Sequence, residues 1–388
     1  MTSPRSFFPR PKVSDEGHRV TTFELLFDLV FVFAFTQVTG FMAHAHSAVG
    51  VLQAMIILIL LWISWAAYGW LANQTHVDEG IVRLGMSGAM VAMFVIALVI
   101  PEAFDDHEGG LSGPLVLVGA YFVVRIIHSA LYLVAAGDDA ALRRQILRTA
   151  TGILVSVSLL LAGALVGGEA QTWFWLAAVV ADGVLIYATS AGGDWRVHSA
   201  AHWSERHGLV VILALGESIV AIGVGAANEA ISVAILIGVL LAITLTISLW
   251  WVYFARVAAA AEHLLTRSQG VRRAQLASDA YTYLHFLMIA GIVISALGVE
   301  EAIAHADDGE PLGLFGACAL FGGTALYVAG NAFFWRRMSG RWNGWQFGAA
   351  TALVALIPVA LVLPAIGCLA LVAALVIATA ALQRRVIG

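Results

Sequence analysis

The sequence predicts an all-α, polytopic membrane protein of twelve transmembrane helices with both termini in the cytoplasm, and three observations carry that prediction. The chain is 61% hydrophobic and 12% charged over 388 residues, against roughly 45–50% and 25% in soluble domains. Nearly uncharged stretches long enough to cross a hydrocarbon core of about 30 Å recur along its whole length, which leaves no soluble domain between them. The basic residues collect in alternate loops, as they do where loops face the cytoplasm.

The elements follow in order. The first apolar run, residues 22 to 44, comes after a basic segment but holds two acids and lacks an A-x-A-like cleavage site, so it reads as a retained helix and not as a signal peptide. Further spans read at 49 to 71, 84 to 101, 112 to 135, 149 to 167, 172 to 191, 208 to 226, 231 to 255, 280 to 299, 312 to 334, 345 to 364 and 366 to 383. Residues 346 to 383 contain no charge; one helix of that length would rise about 57 Å, far more than the core needs. A tight turn at Pro364-Ala-Ile-Gly367 is therefore expected to divide it.

Lys and Arg test this count independently. The N-terminal segment carries Arg5, Arg10, Lys12 and Arg19. Alternate loops carry Arg83; Arg143, Arg144 and Arg148; Arg196 and Arg206; Arg256, Arg267, Arg272 and Arg273; and Arg336, Arg337 and Arg341. Arg384 and Arg385 close the tail. The intervening loops contain none, and two are acidic: Glu102, Asp105, Asp106 and Glu108 in one, Asp307, Asp308 and Glu310 in the other. Only Arg125 falls inside a span. The net charge of -5 thus hides a polarised molecule whose basic side suits an anionic inner leaflet. It calls for no nucleic-acid partner. The aromatic groups Trp173-Phe174-Trp175 and Trp250-Trp251 read as interface belts, and Cys318 and Cys368, inside apolar spans, as small buried hydrophobes.

Twelve spans with both ends on one side invite a division into two six-helix halves, 1–206 and 207–388. MVAMFVIALVIPEAF, residues 90 to 104, aligns without gaps on IAGIVISALGVEEAI, residues 289 to 303, with Glu102 over Glu301. These are the third and ninth spans. Six being even, both halves insert in the same sense, as parallel repeats about an axis along the membrane normal.

Ionised side chains at mid-bilayer cost about 2.5–3.5 kcal/mol on translocon scales, so they face a bundle interior or a wet cavity. Glu24 and Asp28 lie in the first span, Arg125 and His128 in the fourth, Asp182 in the sixth, Glu217 in the seventh and His285 in the ninth. Four acids against one certain base need protons, a cation or water to complete the site. One shared, water-accessible cavity is the expectation. Each residue also has a plainer role. Thr21-x-x-Glu24 matches a capping box; Asp28, a turn deeper, is expected to tie to Arg125; the histidines read as satisfied core residues or as proton relays. Asp182 and Glu217 are too central to cap a helix, and they are the residues expected to load a proton or cation.

The run HSAAHWSERHG, residues 198 to 208, gathers His198, His202, Glu205 and His207, yet lacks cysteines or an H-E-x-x-H pattern, so a helix start near Ser204 or Glu205 is favoured over a zinc site. No metal or cofactor is expected. No phosphate loop, Rossmann fingerprint, nucleophile elbow or CxxC pair is present, which disfavours a pump with its own ATP site.

Two stretches, TTFELLFDLVFVFAFTQV near the start and HWSERHGLVVILALGESIV at 202 to 220, resemble the bacterial low temperature requirement protein A family. Its members open with an E-L-F-F-D-L-V-F-V-F-A-type helix and carry an H-x-x-E-R-x-G-L-x-x-I-x-x-L-G-E-S-I-type segment at mid-chain. The resemblance carries over Glu24, Phe27, Asp28, His202, Glu205, Arg206, Gly208, Gly216, Glu217 and Ser218; Leu26 departs from the usual aromatic. It implies a whole-chain bacterial membrane family tied to growth in the cold, without implying a reaction. The opening Arg19-x-x-x-Phe23 with Phe27-Asp28 is also similar to the first span of lysosomal-type potassium channels, although the serine of their F-S-D motif is missing.

The functional expectation is a secondary transporter or ion pathway of the bacterial cytoplasmic membrane that handles a proton, a small cation or a small solute. Asp182 and Glu217 would be its loading sites, and Asp28 with Arg125 a switchable pair. Two alternatives stay open: an intramembrane enzyme or cofactor binder acting on a lipid-borne substrate, and a non-catalytic scaffold for other membrane proteins.

Overall fold

The computed structural model describes residues 14–106, 109–190, 195–227 and 230–383. Arg5, Arg10, Lys12, Glu108, Arg384 and Arg385 of the charge pattern lie outside them. The described chain is helical: α1 (Thr22–Ala45), α2 (Ala48–Gln74), α3 (Gly80–Val99), α4 (Gly113–Ala136), α5 (Ala140–Val166), α6 (Gly168–Ser190), α7 (Ala200–Ala226), α8 (Val233–Phe254), α9 (Val257–Arg267), α10 (Gly270–Leu276), α11 (His285–Ala304), α12 (Gly313–Ala317), α13 (Gly323–Ser339), α14 (Gly344–Ala355), α15 (Ile357–Ala360) and α16 (Ala365–Gln383). Two π-helical segments, Ala277–Leu284 and Cys318–Gly322, lead into α11 and α13.

Among the described residues, eleven helical segments are long and apolar enough to cross a bilayer. The expected span at 345 to 364 is the exception, because α14 and α15 divide it at Leu356. Pro358 stands in the first turn of α15; its ring has no N–H to continue the ladder of α14. The expected turn before the last span lies three residues earlier, at 361–364, and α16 starts at Ala365, directly after Pro364. The seventh span begins earlier than expected, so that His202, Glu205 and Arg206 are helical residues of α7 and not a loop.

Local chemistry marks the other boundaries. Asp139 caps α5 by accepting from the Ala141 and Leu142 amides, both at 3.0 Å, and Ser232 caps α8 through the Ile235 amide at 3.0 Å. Gly340, at φ 75°, ends α13 in the left-handed conformation that glycine alone adopts freely. On α1 the sidedness is sharp: Leu25, Leu26 and Leu29 are 41%, 48% and 57% exposed, whereas Glu24, Phe27, Asp28 and Phe31 are buried. The hydrocarbon side of the helix is leucine, and the two carboxylates share the face turned to protein.

The chain forms two compact units, one of Met1–Ala34 with Ile56–Trp203, the other of Phe35–Met55 with Ser204–Gly388. Within the first, α5 packs on α6, and α4 lies against both α3 and α5. Within the second, α11 packs on α13 and α8 on α16. A Cβ added at Gly298 would strike the Leu320 backbone, and one at Gly323 the Ser295 backbone. The α11–α13 approach therefore depends on glycine, as close helix contacts in lipid commonly do.

Two sequence expectations are corrected. Cys318 is exposed and only Cys368 is buried, because Cys318 falls on an outward face. Trp175 is fully buried and donates to the Leu160 carbonyl at 2.9 Å, which removes it from the interface belt that the exposed Trp173 still suits.

Candidate functional site

Five of the seven ionisable residues flagged in the spans belong to the first unit and two to the second. In the first unit, Arg125 and Asp182 are an ion pair at 3.6 Å, with side chains 3% and 0% exposed. Tyr121, one helical turn before Arg125, donates to Asp182 Oδ2 at 3.4 Å, and its ring lies 5.8 Å from the guanidinium carbon. Arg125 Nε, Arg125 Nη1 and Asp182 Oδ1 are buried with no hydrogen-bond partner among the described residues. Arg125 thus pairs with a different acid from the one expected, and Asp28 accepts from the Trp65 indole at 3.0 Å.

A tight tie bonded wholly to protein would leave few such atoms, since buried charges need hydrogen bonds on their remaining donors and acceptors. The pair stands 3.6 Å apart, just beyond hydrogen-bond reach.

Glu24 has two jobs. Its Oε1 accepts from the Thr21 amide at 3.0 Å and the Thr21 hydroxyl at 3.1 Å, while Thr21 Oγ1 accepts from the Glu24 amide at 3.3 Å. This is the expected capping box. Its Oε2 meets His202 Nε2 at 2.9 Å, both side chains being 0% exposed. His18 stacks on His202 with ring centroids 4.7 Å apart. His128 shares a hydrogen bond with the Ala67 carbonyl at 3.0 Å and packs edge-on between Tyr68 and Tyr132, the arrangement of a satisfied core histidine.

In the second unit, Thr36 donates to Glu217 Oε2 at 2.6 Å, and Glu217 is 1% exposed. His285 Nε2 lies 3.0 Å from the Tyr253 hydroxyl and Nδ1 lies 3.3 Å from the Ala280 carbonyl. The π-helical turn supplies that carbonyl, five residues back. Tyr281, Phe334 and His207 surround the ring at 4.5 to 5.2 Å.

The run from 198 to 208 does not converge on one point. His198 Nε2 meets Gln74 Oε1 at 3.0 Å, His202 meets Glu24, and His207 sits edge-on to Tyr281 at 5.1 Å. Glu205 is partly buried and Arg206 fully so.

Sequence reasoning missed His18, Trp65 and Asn73, which carry no motif. It also missed the buried amides of the second unit, where Gln346 donates to Asn331 at 2.6 Å and to Gln383 at 3.0 Å. Tyr121 was detectable, four residues before a membrane arginine.

These features define an integral, multi-pass α-helical membrane protein with buried ionisable groups in its spans. The sequence model of the bacterial low temperature requirement A protein family matches residues 19–381, and the chain belongs to that family. An uncharacterized protein of Rhizobium meliloti (strain 1021) is 27% identical over 329 residues, covering 82% of this chain and 77% of the relative. No solved structure matches.

Proposed function

We propose that the protein is a secondary transporter or ion pathway of the bacterial cytoplasmic membrane, in which intramembrane carboxylates load a proton or a small cation. The observation that carries the reading is the incompletely satisfied Arg125–Asp182 pair, 3.6 Å apart and buried in the spans. Charges at that depth persist only with partners, and spare donors and acceptors beside them mark a place where a mobile species completes the site. Glu217, reached by the Thr36 hydroxyl, is the corresponding loading group of the second unit.

In this reading a proton binds Asp182, cancels its charge and releases Arg125, for which Asp28 is the alternative counter-ion. The two pairings bias two conformations, and the gradient drives exchange between them. Twelve spans, with α14 and α15 together as the eleventh, two parallel six-helix halves at 1–206 and 207–388, and both termini in the cytoplasm complete the architecture. Full-length protein in liposomes with an entrapped pH dye tests the idea. Under an imposed pH gradient, Asp182→Asn and Glu217→Gln should lose flux while remaining inserted. Wild-type flux in both variants would overturn it.

A further inference from the structure

Arg125 and Asp182 carry opposite charges, so the buried pair is neutral, and its charge and hydrogen bonding restrict what can join it. Asp182 Oδ2 faces the Nη2 nitrogen of Arg125 at 3.6 Å. Arginine and carboxylate commonly form two parallel bonds across an edge of the planar fork. Here Nε and Nη1, which each share an edge with Nη2, are buried and unbonded among the described residues. Nε holds one hydrogen and Nη1 two, against a single unbonded carboxylate oxygen, Asp182 Oδ1. The surplus at the pair is one of donors.

The neighbouring groups do not absorb it. Tyr121 gives its hydroxyl hydrogen to Asp182 Oδ2 at 3.4 Å, and Tyr68 of α2 gives its own to the Val124 carbonyl at 2.9 Å. His128 is bonded to the Ala67 carbonyl, and Asp28 of α1 accepts from Trp65. From α5 comes Gly152, where an added Cβ would lie 4.0 Å from Asp182 Oδ1, so no side chain covers that oxygen from there. Ser156, one turn further along α5, is buried with its hydroxyl unbonded. Among the described residues, the groups that face Arg125 are Tyr121, Asp182 and Tyr68, with His128 close by on α4.

Charge distinguishes three loads. A metal cation added to the pair leaves one buried positive charge. A proton alone on Asp182 does the same, because arginine stays ionised. A proton taken together with a monovalent anion leaves none. A medium that penalises buried charge selects the third, and the donor surplus agrees, since an anion supplies acceptors.

Resting on the transport reading above for the proton at Asp182, we propose that this pair binds a small monovalent oxyanion, a carboxylate or a hydrogen phosphate, together with that proton. The anion takes the place given above to Asp28 as counter-ion of Arg125. In the loaded site the proton is on Asp182, whose hold on Nη2 is lost, and two oxygens of the anion meet an edge of the fork, Nη2 with Nη1 or with Nε. A two-oxygen group matches that edge, whereas a spherical halide does not. One proton and one anion arrive, the O–H bond of Asp182 forms, and the net charge is zero before and after.

The test is equilibrium binding to the full chain in lipid nanodiscs, with radiolabelled acetate and inorganic phosphate as probes, chloride as competitor, and a pH dye in weak buffer to count protons. Acetate and phosphate separate the two sources of the oxyanion. The wild type should bind one or both with one proton taken up per anion, and chloride should not compete. Its affinity should weaken about tenfold per pH unit once the unloaded Asp182 is ionised. Asp182→Asn, neutral at every pH, should bind the same probe with neither the proton uptake nor the slope, although the transport reading has it lose flux. Arg125→Lys keeps the charge without the fork and should bind about tenfold more weakly.

Binding of neither oxyanion, the result if buried water alone meets these atoms, would overturn the proposal. So would anion binding without proton uptake, displacement by chloride, or unchanged binding in Arg125→Lys. The wild-type proton count needs no variant, so it decides the matter even if both variants fail to fold. A chain that carries proton flux but binds no oxyanion would sink the anion site and spare the transport reading; one that binds as described but carries no flux would do the reverse.

Discussion

Arg125 shows what one residue's chemistry can and cannot reveal. A lone arginine in a span must meet a partner, and that much follows from the cost of its charge. The choice between Asp28 and Asp182 depends on how α1 and α6 stand relative to α4, which no local pattern contains. Truncating one member of a buried pair strands the other, at about 3–5 kcal/mol, whereas replacing both by apolar groups is often nearly neutral. Arg125→Met should therefore destabilise the protein far more than Arg125→Met with Asp182→Leu, as read by unfolding midpoints in mixed micelles. The double variant should also carry no flux. If it unfolds as early as the single one, Asp182 is not the partner that matters. Glu24 was legible as a cap because Thr21 stands three residues before it, but its second bond, to a residue 178 positions later, was not.

Elements obey rules of shorter range, and there the sequence served well. Asp139 before a helical run is a cap, and Asp139→Ala should cost about 1 kcal/mol. The Leu142 amide, followed by the Ala141 amide, holds its carboxyl below the usual value. A carboxylate whose folded value is depressed stabilises above the unfolded value, near 3.9, and loses that contribution as pH falls through the folded one. The deficit of Asp139→Ala should be full at neutral pH and vanish under strong acid; a deficit that persists there would show that the charge is irrelevant.

Gly298 and Gly323 mark another element-scale constraint. Gly298→Val should part α11 from the π-helical segment that leads into α13 and lower the thermal midpoint, while Gly216→Ala, where an added Cβ meets nothing within 4 Å, should not. Pro358 explains the division of α14 from α15, and a proline inside an apolar run was the signal that the span-by-span reading passed over. With Pro358→Ala the two pieces should merge, seen as slower amide exchange around residues 356 to 358.

At the scale of the whole molecule the testable claim is sidedness. Reporter fusions after residue 106 and after residue 308, in the acidic loops, should be active outside the membrane, and fusions after residues 144 and 273, in basic segments, inside. The same side for residues 308 and 341 would remove the last third of the topology. Membership of the bacterial low temperature requirement A family covers residues 19–381 and fixes the extent of the comparison, but it carries no reaction. The proposed activity therefore rests on the buried charges.

The division of labour has a simple physical basis. Hydrophobic run length, the basic loops and the helix caps act through lipid, the leaflet potential and bonds a few residues apart. All three are written along the chain, so the helical membrane class, most of the spans and the list of ionisable groups could be read directly. Which of those groups meet is a matter of contacts between positions 57 to 178 residues apart, as for Arg125 with Asp182 and Glu24 with His202. Neutral partners such as Asn73, whose Nδ2 stands 3.2 Å from His202 Nδ1, leave no mark in a charge pattern. Only the packed helices, by bringing these groups within bonding distance in a medium without water, assign them their chemistry.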